Sequence, residues 1–168
     1  MFNSQSVCNK LIELNILLNT SDVDIVCITE SWLKPTVPDS VIANLDLFTV
    51  WRNDRVGRSG GGVCIITRNL TVTASVVHVQ NIIDDDEAEA EICALDLHYA
   101  VSCIRMICVY RPPASDTCPK AFRSTKLLVS CLSSLCDCSI PVVLVGDFNL
   151  PNVDWSSSCI ISDVHVRS

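Results

Sequence analysis

Nowhere does the chain hold an apolar run long enough to cross a bilayer. Runs such as 63–66 and 142–145 are strand-sized and end at polar or turn residues, far short of the ~20 residues a spanning helix needs. A secretory leader is also missing. Residues 1–19 carry a single lysine and place Glu13 and Asn15 inside the apolar pattern, which points to a protein that stays inside the cell. None of the eleven cysteines forms a C-x-x-C pair, and the tightest group, Cys131, Cys136 and Cys138, lacks metal-site spacing. An odd count leaves at least one thiol unpaired in a monomer. Most cysteines, among them Cys27, Cys64, Cys93 and Cys108, stand within apolar runs, where a reduced Cys acts as a small hydrophobe. Lys and Arg are absent between residues 69 and 104, a stretch with seven acids. The net charge is −7, so the rest of the chain is neutral. That balance argues against generic nucleic-acid binding but decides little about one local face. The densest acidic run, Asp84-Asp85-Asp86-Glu87, reads as a solvated loop.

What is present demands a core. The 168 residues fit one domain. They are 49% hydrophobic and only 18% charged, with mean hydropathy +0.38, which excludes a disordered chain. Leu11, Ile12, Leu14, Leu17 and Leu18 recur at helical spacing, predicting an amphipathic helix over 7–19. Residues 24–29 form a continuous apolar run, a buried strand ending at Glu30. Two prolines make 34–39 a loop, and 47–51 is a second strand. A turn at Arg58-Ser59-Gly60-Gly61-Gly62 leads into a strand at 63–67, and the alternating, Val- and Thr-rich 71–79 is another. Strands follow at 91–97 and 103–110, the latter stopped by Arg111-Pro112-Pro113. Phe122, Leu127, Leu128, Cys131, Leu132 and Leu135 mark a helix over 118–135, and 142–145 is a last strand opening into Gly146-Asp147-Phe148-Asn149. With consecutive strands, and neither regular βαβα alternation nor internal repeats, the pattern predicts one layered α/β domain with mixed sheets.

Glu30, Tyr110, Asp147 and Asn149 each follow an apolar run directly. Strand ends can gather side chains from distant positions around one crevice. Two carboxylates and an amide there suit a hard cation, which prefers oxygen ligands and would neutralise phosphate charge. From pattern alone the same acids also read as turn or cap residues.

Specific motifs add to this. Ile28-Thr29-Glu30-Ser31-Trp32-Leu33, Arg52-Asn53-Asp54-Arg55 with Arg58-Ser59-Gly60-Gly61-Gly62-Val63, Tyr110-Arg111-Pro112-Pro113, and Gly146-Asp147-Phe148-Asn149-Leu150-Pro151 with Asp154-Trp155 occur in this order. Together with Asn3-Ser4-Gln5-Ser6 and Asn9-Lys10-Leu11, they resemble the endonuclease/exonuclease/phosphatase superfamily. Within it, the chain resembles the apurinic-like endonuclease of non-LTR (LINE) retrotransposons of the jockey-like kind. The resemblance spans Asn3 to Trp155. It implies a four-layer α/β sandwich, two packed mixed sheets with helices outside, and hydrolysis of a DNA phosphodiester. It implies Mg²⁺, or Mn²⁺, held by Glu30 with Asn3 organising the metal site. By the same resemblance Tyr110 donates to the scissile phosphate, Asp147 orients or deprotonates the attacking water, and Asn149 steadies phosphate. DNA is the implied partner, alongside a reverse transcriptase in the full element.

Other residues keep two readings. The triple glycine is not a phosphate-cradling G-x-x-x-x-G-K loop; it lets a strand start tightly or lets backbone pack closely. Arg52, Arg55 and Arg58 beside it suit either phosphate contact or a solvated turn. Asp154-Trp155 reads as a buried indole with a polar neighbour, and His78 and His98 as structural histidines.

The match also departs from the family. Only thirteen residues follow Trp155, where the family continues through a further catalytic aspartate to a closing Ser-Asp-His motif. Ser162-Asp163-Val164-His165 does not supply it, because Val164 splits the pair. The expectation is a domain incomplete at its C-terminus, with an impaired or inactive site. The alternatives are a non-catalytic remnant that binds Mg²⁺ or DNA, and another phosphatase or exonuclease of the superfamily.

Overall fold

Alternate side chains of the central strands enter different cores, and this builds the layers. The structure is a computed structural model that describes residues 1–78, 90–113, 119–150, 153–154 and 159–160. The acidic run 84–87, Trp155 and the 162–165 segment lie outside them. Sheet A has the order β1 (Phe2–Asn3), β2 (Ile25–Thr29), β4 (Val63–Arg68), β3 (Phe48–Asn53). Sheet B has the order β5 (Thr73–Val76), β6 (Glu91–His98), β7 (Cys103–Tyr110), β8 (Val142–Asp147). Both are mixed: β1 runs parallel to β2 and β8 parallel to β7, while the other neighbours are antiparallel. A separate pair, β9 (Val153–Asp154) and β10 (Cys159–Ile160), is antiparallel.

Three apolar clusters separate four layers. Val26, Ile28, Cys64 and Ile66 pack outward against Leu14 and Leu18 of α1 (Leu11–Thr20). Their strand neighbours Cys27, Val63 and Ile65 point the other way and meet Cys93, Leu95, Met106 and Cys108 between the sheets. On the far side of sheet B, Ile92, Ala94, Ile107 and Val109 pack against Leu128, Cys131 and Leu135 of α3 (Pro119–Cys136). Strands covered on both faces read as continuous apolar runs, which explains the lack of clean alternation in the sequence. The expected four-layer sandwich of two packed mixed sheets is the observed fold.

Cys8, Cys27, Cys64, Cys93, Cys103, Cys108, Cys131, Cys136 and Cys138 are free thiols. Burial pushes the Cys64 thiol up and the Cys93 thiol up to about 12, so both stay protonated and serve as core.

Several boundaries differ from expectation for physical reasons. The first helix does not begin at Val7. The backbone N–H groups of Ser4, Ser6 and Val7 donate to the carbonyls of Thr29, Glu30 and Ser31, which holds this segment alongside β2. Only a 3-10 turn at Val7–Asn9 precedes α1. Ile12, counted in the apolar stripe, is 75% exposed. β3 runs on to Asn53 and β5 is shorter than 71–79. A short helix α2 (Asp39–Ile42) follows the proline loop. β8 is half exposed along its apolar run, being an edge strand among the described residues.

Candidate phosphate-ester site

Register brings the strand-end residues to one rim. In sheet A, Asn3, Thr29, Val63 and Asn53 form one row across the four strands. In sheet B, Glu91, Tyr110 and Asp147 form another. Both rows lie at the same end of the sandwich, and side chains bridge them. Asn3 Nδ2 donates to Asp147 Oδ2 at 3.0 Å. The Tyr110 hydroxyl donates to Glu30 Oε1. Arg55 pairs with both oxygens of Glu91, and Asn53 Nδ2 donates to the Ile92 carbonyl at 3.0 Å. Asn3 and Asp147 are 144 residues apart in the chain and Glu30 and Tyr110 are 80 apart.

The rim is strained. The non-glycine residues with positive φ among those described are Gln5, Ser6, Glu30, Trp32 and Asn149, and every one borders this mouth. Such conformations persist only where surroundings hold them, and they gather at functional sites. Glu30, at φ 55°, turns the chain out of β2. Its carbonyl accepts from Ser4 Oγ at 2.8 Å and from the Ser6 backbone N–H at 3.0 Å. Its second carboxylate oxygen, Oε2, accepts from the indole N–H of Trp32. Asn149 is fixed by Arg111: its Nδ2 donates to the Arg111 carbonyl at 2.7 Å, and its own carbonyl accepts from the Arg111 guanidinium at 2.9 Å. Among the described residues, the second N–H of that amide is left to donate.

Burial and the neighbouring Glu30 carboxylate raise the Tyr110 hydroxyl pKa well above the usual tyrosine value. The group is therefore a proton-bearing donor at neutral pH. The Arg55 guanidinium lies 5.5 Å over the Tyr110 ring. It occupies space that a side chain at residue 61 would need: a Cβ on Gly61 would fall 2.3 Å from Arg55 Cζ.

The donor set suits a hard ion. Glu30, Asp147 and the Asn3 side-chain carbonyl would each offer oxygen. Among the described residues no group of three or more His, Cys, Asp or Glu is placed to hold a metal. Mg²⁺ does not require one, since it keeps several waters and is bound through one or two carboxylates plus substrate phosphate.

The three arginines part company. Arg55 is at the mouth, and Arg58 is exposed in the loop beyond it. Arg52 is not brought there. It alternates with Trp51 and Asn53 and so points to the outer face of sheet A. There it donates to the carbonyls of Val37 and Lys34 and pairs with Asp39 and Asp54.

The family model for the endonuclease/exonuclease/phosphatase family matches residues 2–158. The chain belongs to that family. Among solved structures of this fold, the Neisseria 3′ phosphatase NExo bound to a product DNA hairpin has a TM-score of 0.65 at 18% identity, over 90% of this chain and 57% of that one. The human nocturnin catalytic domain with bound sulfate gives 0.57 at 14% identity, over 91% and 62%. D. rerio TDP2 with a single-stranded DNA product gives 0.55 at 12% identity, over 86% and 54%. The chain thus spans a little over half the length of each of these three structures. No curated protein sequence matches it. Among the described residues no helix is long and apolar enough to cross a membrane.

Of the residues picked from the sequence, Asn3 meets Asp147 and Tyr110 meets Glu30 at this rim, while Asn149, two residues beyond Asp147, is held by Arg111. Three further contributors receive no site role from the sequence. Glu91 sat within the acidic stretch, with nothing local to pair it with Arg55, 36 residues away. Arg111 stands in the sequence as part of a strand stop, yet it is buried and donates to the Phe148 and Asn149 carbonyls and to Thr125 Oγ1. Trp32 carried a signal, an aromatic two residues after the candidate metal glutamate.

Proposed function

We propose that this mouth hydrolyses phosphodiesters in DNA, nicking one strand, as the endonuclease of a LINE-type retrotransposon does. The observation that carries the reading is the pair of long-range bonds, Asn3 to Asp147 and Tyr110 to Glu30, which join residues from both sheets at one rim. Glu30 and the Asn3 carbonyl oxygen would hold Mg²⁺, with Mn²⁺ as a substitute. The bound ion would supply charge neutralisation at the phosphate oxygens. Tyr110, kept protonated, would turn its hydroxyl from Glu30 to a non-bridging oxygen, and Asn149 offers its remaining N–H. Asp147, oriented by Asn3, accepts the proton of the attacking water. Arg55 and Arg58 contribute positive charge beside the strand, while Arg52 braces the scaffold. The retrotransposon assignment, with a reverse transcriptase as neighbour, rests on the Glu30-Ser31-Trp32, triple-glycine and Tyr110-Arg111-Pro112-Pro113 motifs.

Two measurements test this together. Isothermal titration with Mg²⁺ is expected to give heat that Glu30→Ala abolishes. Supercoiled plasmid is expected to be nicked in Mg²⁺, only slowly for the impaired site that the sequence predicts, and left intact in EDTA. Mg²⁺ binding without nicking would support a non-catalytic metal- and DNA-binding module. Absence of both would sink the reading.

The Neisseria relative, a 3′ phosphatase by its description, favours a second reading, in which the mouth removes terminal phosphates. Release of inorganic phosphate from a 3′-phosphorylated oligonucleotide, with plasmid untouched, would select it.

A further inference from the structure

Between Ser31 and Leu33, which are 0% and 2% exposed, the Trp32 side chain stands 44% open to solvent. A large indole in that position is not core. Its placement is nevertheless rigid. The backbone sits at φ 52° and is clamped by the Trp32 N–H donating to the Gly61 carbonyl at 2.9 Å. The ring nitrogen donates to Glu30 Oε2. Gly60 backs the Nε1–Cε2 edge, where a Cβ would stand 3.6 Å from Nε1. By contrast, Trp51 is half-buried and spends its N–H on Thr67 Oγ1 at 3.0 Å. Capping Glu30 needs only a single N–H. It does not need a wide apolar surface held outside the core, beside the carboxylate, in a strained backbone. An immobilised aromatic face of this kind has already lost the freedom that binding would otherwise remove.

We propose that Trp32 is a stacking platform that receives a nucleobase of the bound DNA strand and so positions that strand's phosphate against Glu30. This deepens the phosphodiesterase reading and rests on it. Every base has a π-face, so such a platform tolerates sequence while distinguishing a nucleotide that carries a base from one that does not. The pinned N–H fixes the ring relative to the Glu30 carboxylate, so the same residue sets the spacing between base and reacting phosphate. Trp32 is on this view a specificity-determining and positioning residue.

The test uses the full chain with Ca²⁺ in place of Mg²⁺, so that the strand stays whole. Fluorescence anisotropy compares a short single-stranded oligodeoxynucleotide with one of the same length carrying abasic residues. Wild type is expected to favour the base-bearing strand by roughly tenfold. Trp32→Ala is expected to abolish that preference while leaving abasic binding near wild type. Trp32→Phe, which keeps a ring but loses the N–H, is expected to retain most of it. If both variants weaken the two strands equally, the indole acts only through its bond to Glu30; the platform is then overturned and the phosphodiesterase reading stands. Unchanged preference in Trp32→Ala overturns the platform as well. If wild type binds neither strand, the DNA-directed reading itself fails, and the platform with it.

Discussion

Where β2 and β7 finish, Glu30 receives both the Tyr110 hydroxyl and the Trp32 indole, and Asp147 receives Asn3. At the opposite end of the sandwich the polar residues are tied off by other means. Arg68 donates to the carbonyls of Leu18, Ser21 and Val23 at 3.1–3.2 Å, pairs with Asp24 and lies 4.8 Å over the Phe48 ring. Arg105 forks onto both oxygens of Asp96 at 2.7 and 2.9 Å and donates to the Leu135 carbonyl. The positive-φ non-glycine residues lie at the first end and none lies at the second, among the described residues. Among the described residues, the buried side-chain oxygens without a hydrogen-bond partner, Thr29 Oγ1, Ser31 Oγ and Asp54 Oδ1, also border the first end. One end is thus built to present carboxylates in a strained frame, and the other to close the layers. Stability and chemistry draw on different residues of the same strands.

Substitutions can break that division. The largest effect is expected from Asp147→Asn, which keeps the shape of the side chain and removes its basicity. Nicking should fall about 10²–10⁴-fold, with a melting temperature close to wild type. A matching loss of stability would show that the mouth also holds the fold together. Next is Gly146→Ala, one residue away but structural: the new Cβ would stand 2.3 Å from the Val109 carbonyl oxygen, inside the β7–β8 pairing. Thermal unfolding should register about 2–3 kcal/mol of destabilisation.

Smaller changes sharpen the contrast. Gly61→Ala places a methyl against the Arg55 guanidinium at φ 71°. Displacing Arg55 from Glu91 should cost about 1–2 kcal/mol, read by denaturant unfolding. The smallest effect belongs to the far end. The hydrogen-bonded Arg105 guanidinium holds the Asp96 carboxyl below the usual carboxylate range. Its contribution is present above the unfolded-state pKa and is lost as pH falls through the lower, folded value. Asp96→Asn should therefore remove about 1 kcal/mol or less at neutral pH, the pair being partly solvated. It should also flatten the acid limb of a stability–pH profile, with no change in nicking. A change in nicking would couple the two ends.

Much of this molecule was legible beforehand. The strands 91–97 and 103–110 stand almost as read, because an apolar run stopped by polar or proline residues has few other ways to be buried. Glu30, Tyr110 and Asp147 were visible as polar residues ending such runs. The arginine cluster was less legible. Arg52, Arg55 and Arg58 look alike in sequence, but strand alternation carries β3 on to Asn53 and turns Arg52 to the outer face. Pairings at long separation, Arg55 with Glu91 above all, leave no local trace.

The composition and apolar spacing by themselves determined that the chain forms a layered α/β core, and the ordered motifs determined its family. Short-range patterning suffices for this, since burying apolar strands and helical stripes is a local requirement repeated along the chain. Which polar residues meet was decided only by tertiary structure. Register across two sheets places Asn3 against Asp147 and Tyr110 against Glu30, and register depends on partners that lie far away in the chain.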